Sequence, residues 1–149
     1  MFQRIGFTCF LVLMVLSSYA QQAGEVMGHW YTEEKKAIVK VYPCEDSFCG
    51  KIIWISKKNE DGSPLRDINN PESELRKRTI VGTNILQNLE FTGDGKYEDG
   101  EIYDPESGKT YSCLVRLQED DHLEVRGFVG FSLIGRSTIW TRAEDYTGH

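Results

Sequence analysis

The feature that most constrains this chain is a succession of short strand-like runs, divided by turn residues, between residues 28 and 142. Eight runs follow one another, at 28–32, 37–44, 48–55, 79–91, 96–103, 109–117, 123–131 and 136–142. They are rich in β-branched and aromatic residues, as in Ile38-Val39-Lys40-Val41 and Ile52-Ile53-Trp54-Ile55, which suit a pleated, half-buried surface. Between them stand turn formers. Gly93-Asp94-Gly95 is a tight hairpin signal and Asp104-Pro105-Glu106-Ser107-Gly108 a longer turn. Gly82 and Asn84 imply a bend inside the fourth run, and Gly127, Gly130 and Gly135 suit the coiling of a closed sheet. Eight antiparallel strands with short connections close into an up-and-down barrel, which removes exposed sheet edges. The expected fold is therefore all-β, an eight-stranded antiparallel barrel. Such a barrel is either filled by its own side chains or holds one small ligand. Trp54, Tyr103, Tyr111, Phe128, Phe131 and Trp140 serve a packed core and a ligand cavity equally well.

One segment breaks the pattern. Residues 56–78 are polar and not strand-like. Within them Asn70-Pro71-Glu72-Ser73-Glu74 reads as a helix start, with Asn70 as N-cap, Pro71 in the first position and acids near the positive end of the dipole. One short helix of about two turns is expected, ending near Arg78. Long excursions in compact domains often carry function; the structural reading is a plug over one barrel end.

The N-terminus has the three parts of a cleavable export signal. Arg4 is the positive region, residues 7–16 are apolar apart from Thr8 and Cys9, and Ser18-Tyr19-Ala20 places small residues before a cut after Ala20. The apolar run is shorter than the ~20 residues a spanning helix needs, and no second one follows. The expected division is a signal peptide at 1–20 and one domain at 21–149, delivered to the periplasm or secreted. No transmembrane segment is expected in the mature protein. The signal holds one arginine and no acid, so the net charge of −6 becomes −7 on cleavage. That charge argues against nucleic acid or an anionic membrane as partner.

Export also changes the cysteine count, since Cys9 leaves with the signal. Cys44 and Cys49 flank Glu45-Asp46-Ser47-Phe48 between two strand-like runs, and a bridge across that hairpin end is expected. A redox pair would need the CxxC spacing, and a metal site would need a nearby His. Cys113 alternates with Tyr111, Val115 and Leu117, the pattern of a buried free thiol.

Gly28-His29-Trp30 opens the first run and Trp140-Thr141-Arg142 ends the last. In a closed barrel these runs are neighbours, so Arg142 can stack on Trp30. This arrangement resembles the lipocalin and wider calycin pattern, in which such a pair seals the closed end. The remainder of the chain resembles the exported lipocalin-like bacterial proteins of domain-of-unknown-function family 2147. The residues that carry the likeness are Gly28-His29-Trp30, Cys49-Gly50-Lys51-Ile52-Ile53-Trp54, Asp67-Ile68-Asn69-Asn70-Pro71, the stretch 102–111, Val125-Arg126-Gly127-Phe128-Val129-Gly130, Gly135-Arg136 and Trp140-Thr141-Arg142. The resemblance implies the barrel and leaves activity open, because the family is itself uncharacterised.

The polar anchors of a binding site are sought among Asp67, Asn70, Tyr103, Arg126 and Arg136. Asp67 and Asn70 equally suit a turn that caps its own backbone. Tyr103 equally suits the shoulder of a hairpin. Arg126 alternates out of phase with Leu123, Val125 and Val129; it is an anion-holding group if the interior takes it and an exterior charge if not. The acids between Asp94 and Asp104 lack the calcium-loop pattern and read as a solvated face. His29, His122 and His149 come with neither a nucleophile motif nor metal-ligand spacing. No cofactor, metal or catalytic residue is expected.

Three functions compete. The leading one is binding of a small apolar or amphipathic molecule within the barrel, for which an interior void of at least roughly 300 Å3, open at one end, is the mark. The second is an envelope module or inhibitor that binds protein through the excursion, marked by a dense core with apolar surface on the excursion. A barrel enzyme needs an acid or His within hydrogen-bond reach of another polar group in a cavity.

Overall fold

A computed structural model describes residues 5–148, with side chains from Met14 onward. Eight strands follow in order: β1 (Gly28–Tyr31), β2 (Ala37–Cys44), β3 (Ser47–Ile55), β4 (Asn84–Gly93), β5 (Lys96–Asp104), β6 (Lys109–Leu117), β7 (His122–Phe128) and β8 (Gly135–Arg142). Each is antiparallel to the next, and β8 returns to β1 to close the barrel. The expected architecture is the one observed.

Turn chemistry sets the connections. Asp94 and Gly95 both adopt positive φ, 51° and 68°, between β4 and β5; that pairing matches the strands' right-handed twist. After β5, Asp104 accepts hydrogen bonds from the Glu106 amide at 3.0 Å and the Ser107 hydroxyl at 2.6 Å. Cys44 and Cys49 form the expected disulfide across the β2–β3 hairpin.

The axis is filled. Leu86, Leu89, Tyr97, Val115, Leu123 and Val125 are each at most 2% exposed. Small residues make room for large ones. A Cβ on Gly50 would lie 2.9 Å from Leu86, and one on Gly100 would lie 2.5 Å from Leu89. Cys113, opposite Gly100 and Gly127 in register, is a buried free thiol, as expected. Burial pushes its pKa up to about 12.

One end of the barrel is sealed. A 3-10 turn, Gly24–Val26, packs Val26 fully into the core. Trp30 donates its indole N–H to the Val26 carbonyl at 2.9 Å. The Arg142 guanidinium stacks 3.9 Å from the Trp30 ring centroid. Arg142 also donates to the Met27 and Glu25 carbonyls at 2.6 and 2.5 Å and to Asp121 at 3.0 Å. Trp140, 3% exposed, lies one layer above.

Three departures from the sequence reading have a local cause. β4 starts at Asn84 rather than Thr79, because Gly82 turns at φ +98° and donates its amide to the Ile52 carbonyl. β7 ends at Phe128 rather than Phe131, because Gly130, at φ +74°, begins the turn into β8. The helix of the excursion is a 3-10 segment, Ser73–Lys77, flanked by Glu72 rather than Asn70. Asn70 Oδ1 instead closes a local turn on the Glu72 amide, and Glu72 is itself extended at φ −86° and ψ 114°, so helical backbone starts only after it. At the N-terminus, α1 (Ile5–Ala23) runs through the position expected for cleavage, while Arg4 lies outside the described residues. Among those residues no helix is long and apolar enough to cross a membrane.

Candidate functional site

The excursion between β3 and β4 lies against the outer wall of the barrel, where Tyr103 emerges from β5. Ile102 and Gly127 meet inside, so the pleat turns the next residue, Tyr103, outward. Above it sits Asp67, fully buried. A lone buried carboxylate is costly, and this one is saturated. Oδ1 accepts from the Tyr103 hydroxyl at 2.6 Å. Oδ2 accepts from Asn70 Nδ2 at 2.8 Å, Arg78 Nε at 2.9 Å and Arg78 Nη2 at 2.8 Å. Asn70 Nδ2 also approaches the Tyr103 oxygen at 3.1 Å, and the Arg78 guanidinium lies 5.7 Å from the Tyr103 ring centroid. Burial, and then the adjoining Asp67 carboxylate, hold the Tyr103 phenol above its ordinary pKa.

Local backbone bonds hold this cluster in place. The Asp67 and Arg78 backbones pair, the Asn70 amide returns to the Asp67 carbonyl, and Asn70 Oδ1 accepts the Glu72 amide at 2.9 Å. Asn70 thus makes the expected turn cap and joins the cluster as well. Asn69 ties the excursion to the β5–β6 turn by donating to the Glu106 carbonyl at 2.8 Å.

Beside the cluster is a cleft of about 620 Å3 between the excursion and the outer faces of β4, β5 and β6. Asn70, Arg78 and Tyr103 supply polar edges, while Leu75 and Val81 supply apolar surface. Among the described residues Arg78 Nη1 has no hydrogen bond, its other two nitrogens being held by Asp67. The cleft lies outside the filled axis, not within it.

Of the residues singled out from sequence, Asp67, Asn70 and Tyr103 come together. Arg126 and Arg136 stand elsewhere. Arg126 faces away from the Val125 core and binds the β7–β8 loop, donating to the Ser132 carbonyl at 2.6 Å and Ser137 Oγ at 3.1 Å. Arg136, at the open rim, pairs with Glu33 at 2.9 Å. His29 packs on Tyr146, and His122 lies 2.9 Å from Asp120; neither lines the cleft. His149 lies outside the described residues. Sequence reasoning missed Arg78, the counter-charge of Asp67. Its only signal was a basic residue closing a segment that holds one buried acid.

A closed eight-stranded antiparallel barrel, sealed at one end by a tryptophan–arginine stack, defines a lipocalin-like protein. The chain belongs to the bacterial family described as an uncharacterized protein conserved in bacteria (DUF2147), which matches residues 28–142. A solved protein of the human pathogen Helicobacter pylori, described as belonging to the lipocalin family, is similar to it at 26% identity. The likeness covers 80% of this chain and 84% of that one, with a TM-score of 0.71. No curated protein matches the chain.

Proposed function

We propose that the protein is exported, cleaved after Ala20, and binds a small amphipathic molecule in the cleft between the excursion and the barrel wall. One observation carries the reading. A fully buried carboxylate fixes Arg78, Asn70 and Tyr103 at the edge of a cleft of about 620 Å3, a volume within the usual ligand range of about 300–1,000 Å3. Polar groups immobilised before binding lose little freedom when a ligand arrives. The polar end of the ligand meets Tyr103, Asn70 and the free edge of Arg78, and its apolar part meets Leu75 and Val81. Export is supported by the apolar N-terminal stretch and by the Cys44–Cys49 disulfide, a bond that persists in oxidising compartments.

Native mass spectrometry of the protein purified from the envelope of its own cells tests both parts. The expected species starts at Gln21 and carries a co-purifying small molecule. Val81→Trp, which fills the cleft from an exposed position, is expected to lose that molecule. An uncleaved chain would sink the export reading. A ligand-free mass, or a ligand retained by Val81→Trp, would sink the cleft reading.

A further inference from the structure

The β7–β8 loop carries a second surface, remote in character from the polar cleft. Val129, Phe131, Leu133 and Ile134 are 66%, 77%, 90% and 67% exposed. Four large apolar side chains in six residues is more than the scatter normal for a surface. The loop that bears them is fixed. The Val129 amide donates to the Ile134 carbonyl, the Ile134 amide donates to the Phe131 carbonyl, and Arg126 holds the Ser132 carbonyl.

The loop borders a groove of about 700 Å3 whose other side is acidic. Phe128 and Phe131 line one side and Glu98, Asp99 and Glu101 the other, with no basic residue in the lining. Among the described residues these three carboxylates form neither an ion pair nor a side-chain hydrogen bond. Glu98 faces Glu90 directly across the β4–β5 ladder, a like-charge pair that weakens the sheet until a cation intervenes. Apolar and anionic walls facing each other call for apolar and cationic groups together. Anionic lipid would meet repulsion from these carboxylates, and so would a second copy of a chain of net charge −6.

We propose that the β7–β8 loop and the acidic wall of β5 form a docking surface for a basic, amphipathic segment of a partner protein. Leucine- or phenylalanine-like side chains pack on Phe131 and Leu133, and lysine or arginine side chains meet Glu98, Asp99 and Glu101.

The test uses the mature protein and a fluorescent synthetic peptide of alternating lysine and leucine, followed by anisotropy. Saturable one-to-one binding is expected, weakening as salt rises. The double variant Phe131→Ser/Leu133→Ser is expected to bind about tenfold more weakly, and Glu98→Gln/Asp99→Asn/Glu101→Gln likewise. Asparagine suits position 99, where φ is 57°. All these positions are exposed, so circular dichroism should show both variants folded. Absence of saturable binding would overturn the proposal, as would an affinity equal to the parent protein's in either variant. It would also fall if the loop variant abolished binding to phosphatidylglycerol vesicles or self-association while peptide binding stayed unchanged.

Discussion

Asp67 places the heaviest demand on this structure, because a carboxylate with no exposed surface must be fully compensated. Four donor contacts compensate it, from Tyr103, Asn70 and Arg78. Asp67→Ala would leave the Arg78 side chain, 35% exposed, and the buried Asn70 amide without their acceptor. The expected loss is about 3 kcal/mol of unfolding free energy, read from urea midpoints by tryptophan fluorescence. Tyr103→Phe removes one hydrogen bond to a charged acceptor and should cost about 1.5 kcal/mol. If Asp67→Ala proved as mild as Tyr103→Phe, the cluster would not be the clamp described. The acid, the amide and the tyrosine were each visible in the sequence, because short polar residues around a proline advertise a structured turn. That Arg78 closes on Asp67 was not visible. Eleven positions separate them, and only the fold of the excursion brings them together.

At the scale of elements, hairpins whose residues settle their own geometry were legible. The β2 and β6 runs coincide with their strands because alternation begins and ends at strong turn residues. The fourth and seventh runs were read too long, since apolar residues continue past the last ladder bond into glycine-centred turns at Gly82 and Gly130. Two element-level predictions follow from the closed end and its hairpin. The Cys44–Cys49 bridge spans a sequence separation of 5, and a loop that short restricts the unfolded chain by only about 2 kcal/mol. Reduction with dithiothreitol should lower the unfolding midpoint by that amount and leave the barrel folded; a barrel that unfolds on reduction would contradict this. Gly28 tests the seal. It has φ +123°, and an added Cβ would lie 2.9 Å from Arg142 Nη1, a group tied to the Met27 carbonyl. Gly82, at φ +98°, has no atom within 4 Å of that position. Gly82→Ala should therefore cost only the left-handed strain of about 1 kcal/mol. Gly28→Ala should cost about 1–2 kcal/mol more and alter Trp30 emission. Equal costs would show that Arg142 moves aside freely.

For the whole molecule, the decisive property is the core of buried side chains that fills the barrel toward its sealed end, and this was the point on which composition was silent. Aromatic and aliphatic residues fill a core or line a cavity in the same numbers; only register decides, here through Gly50 and Gly100 making way for Leu86 and Leu89. Burial in this core has a consequence for pH. Burial raises the thiol of Cys113 from 9.0 to about 12 and the phenol of Tyr97 from 10.0 to about 12. Tyr97 also donates its hydroxyl to the Ala23 carbonyl at 2.9 Å, so the folded state favours the protonated form. Both pKa values are raised by folding, and the unfolded chain releases these protons first. Their stabilising contribution is complete below pH 9 and is lost as pH climbs from 9 toward 12. The urea midpoint should accordingly hold steady up to about pH 9 and then fall at each step above it. Cys113→Ala should shift the onset of that fall upward toward 10, where the phenols of Tyr97 and Tyr103, both raised by burial, remain to ionise on opening. A midpoint that stayed level to pH 12 in the parent protein would mean that water reaches the barrel axis, and the account of a filled interior would fail with it.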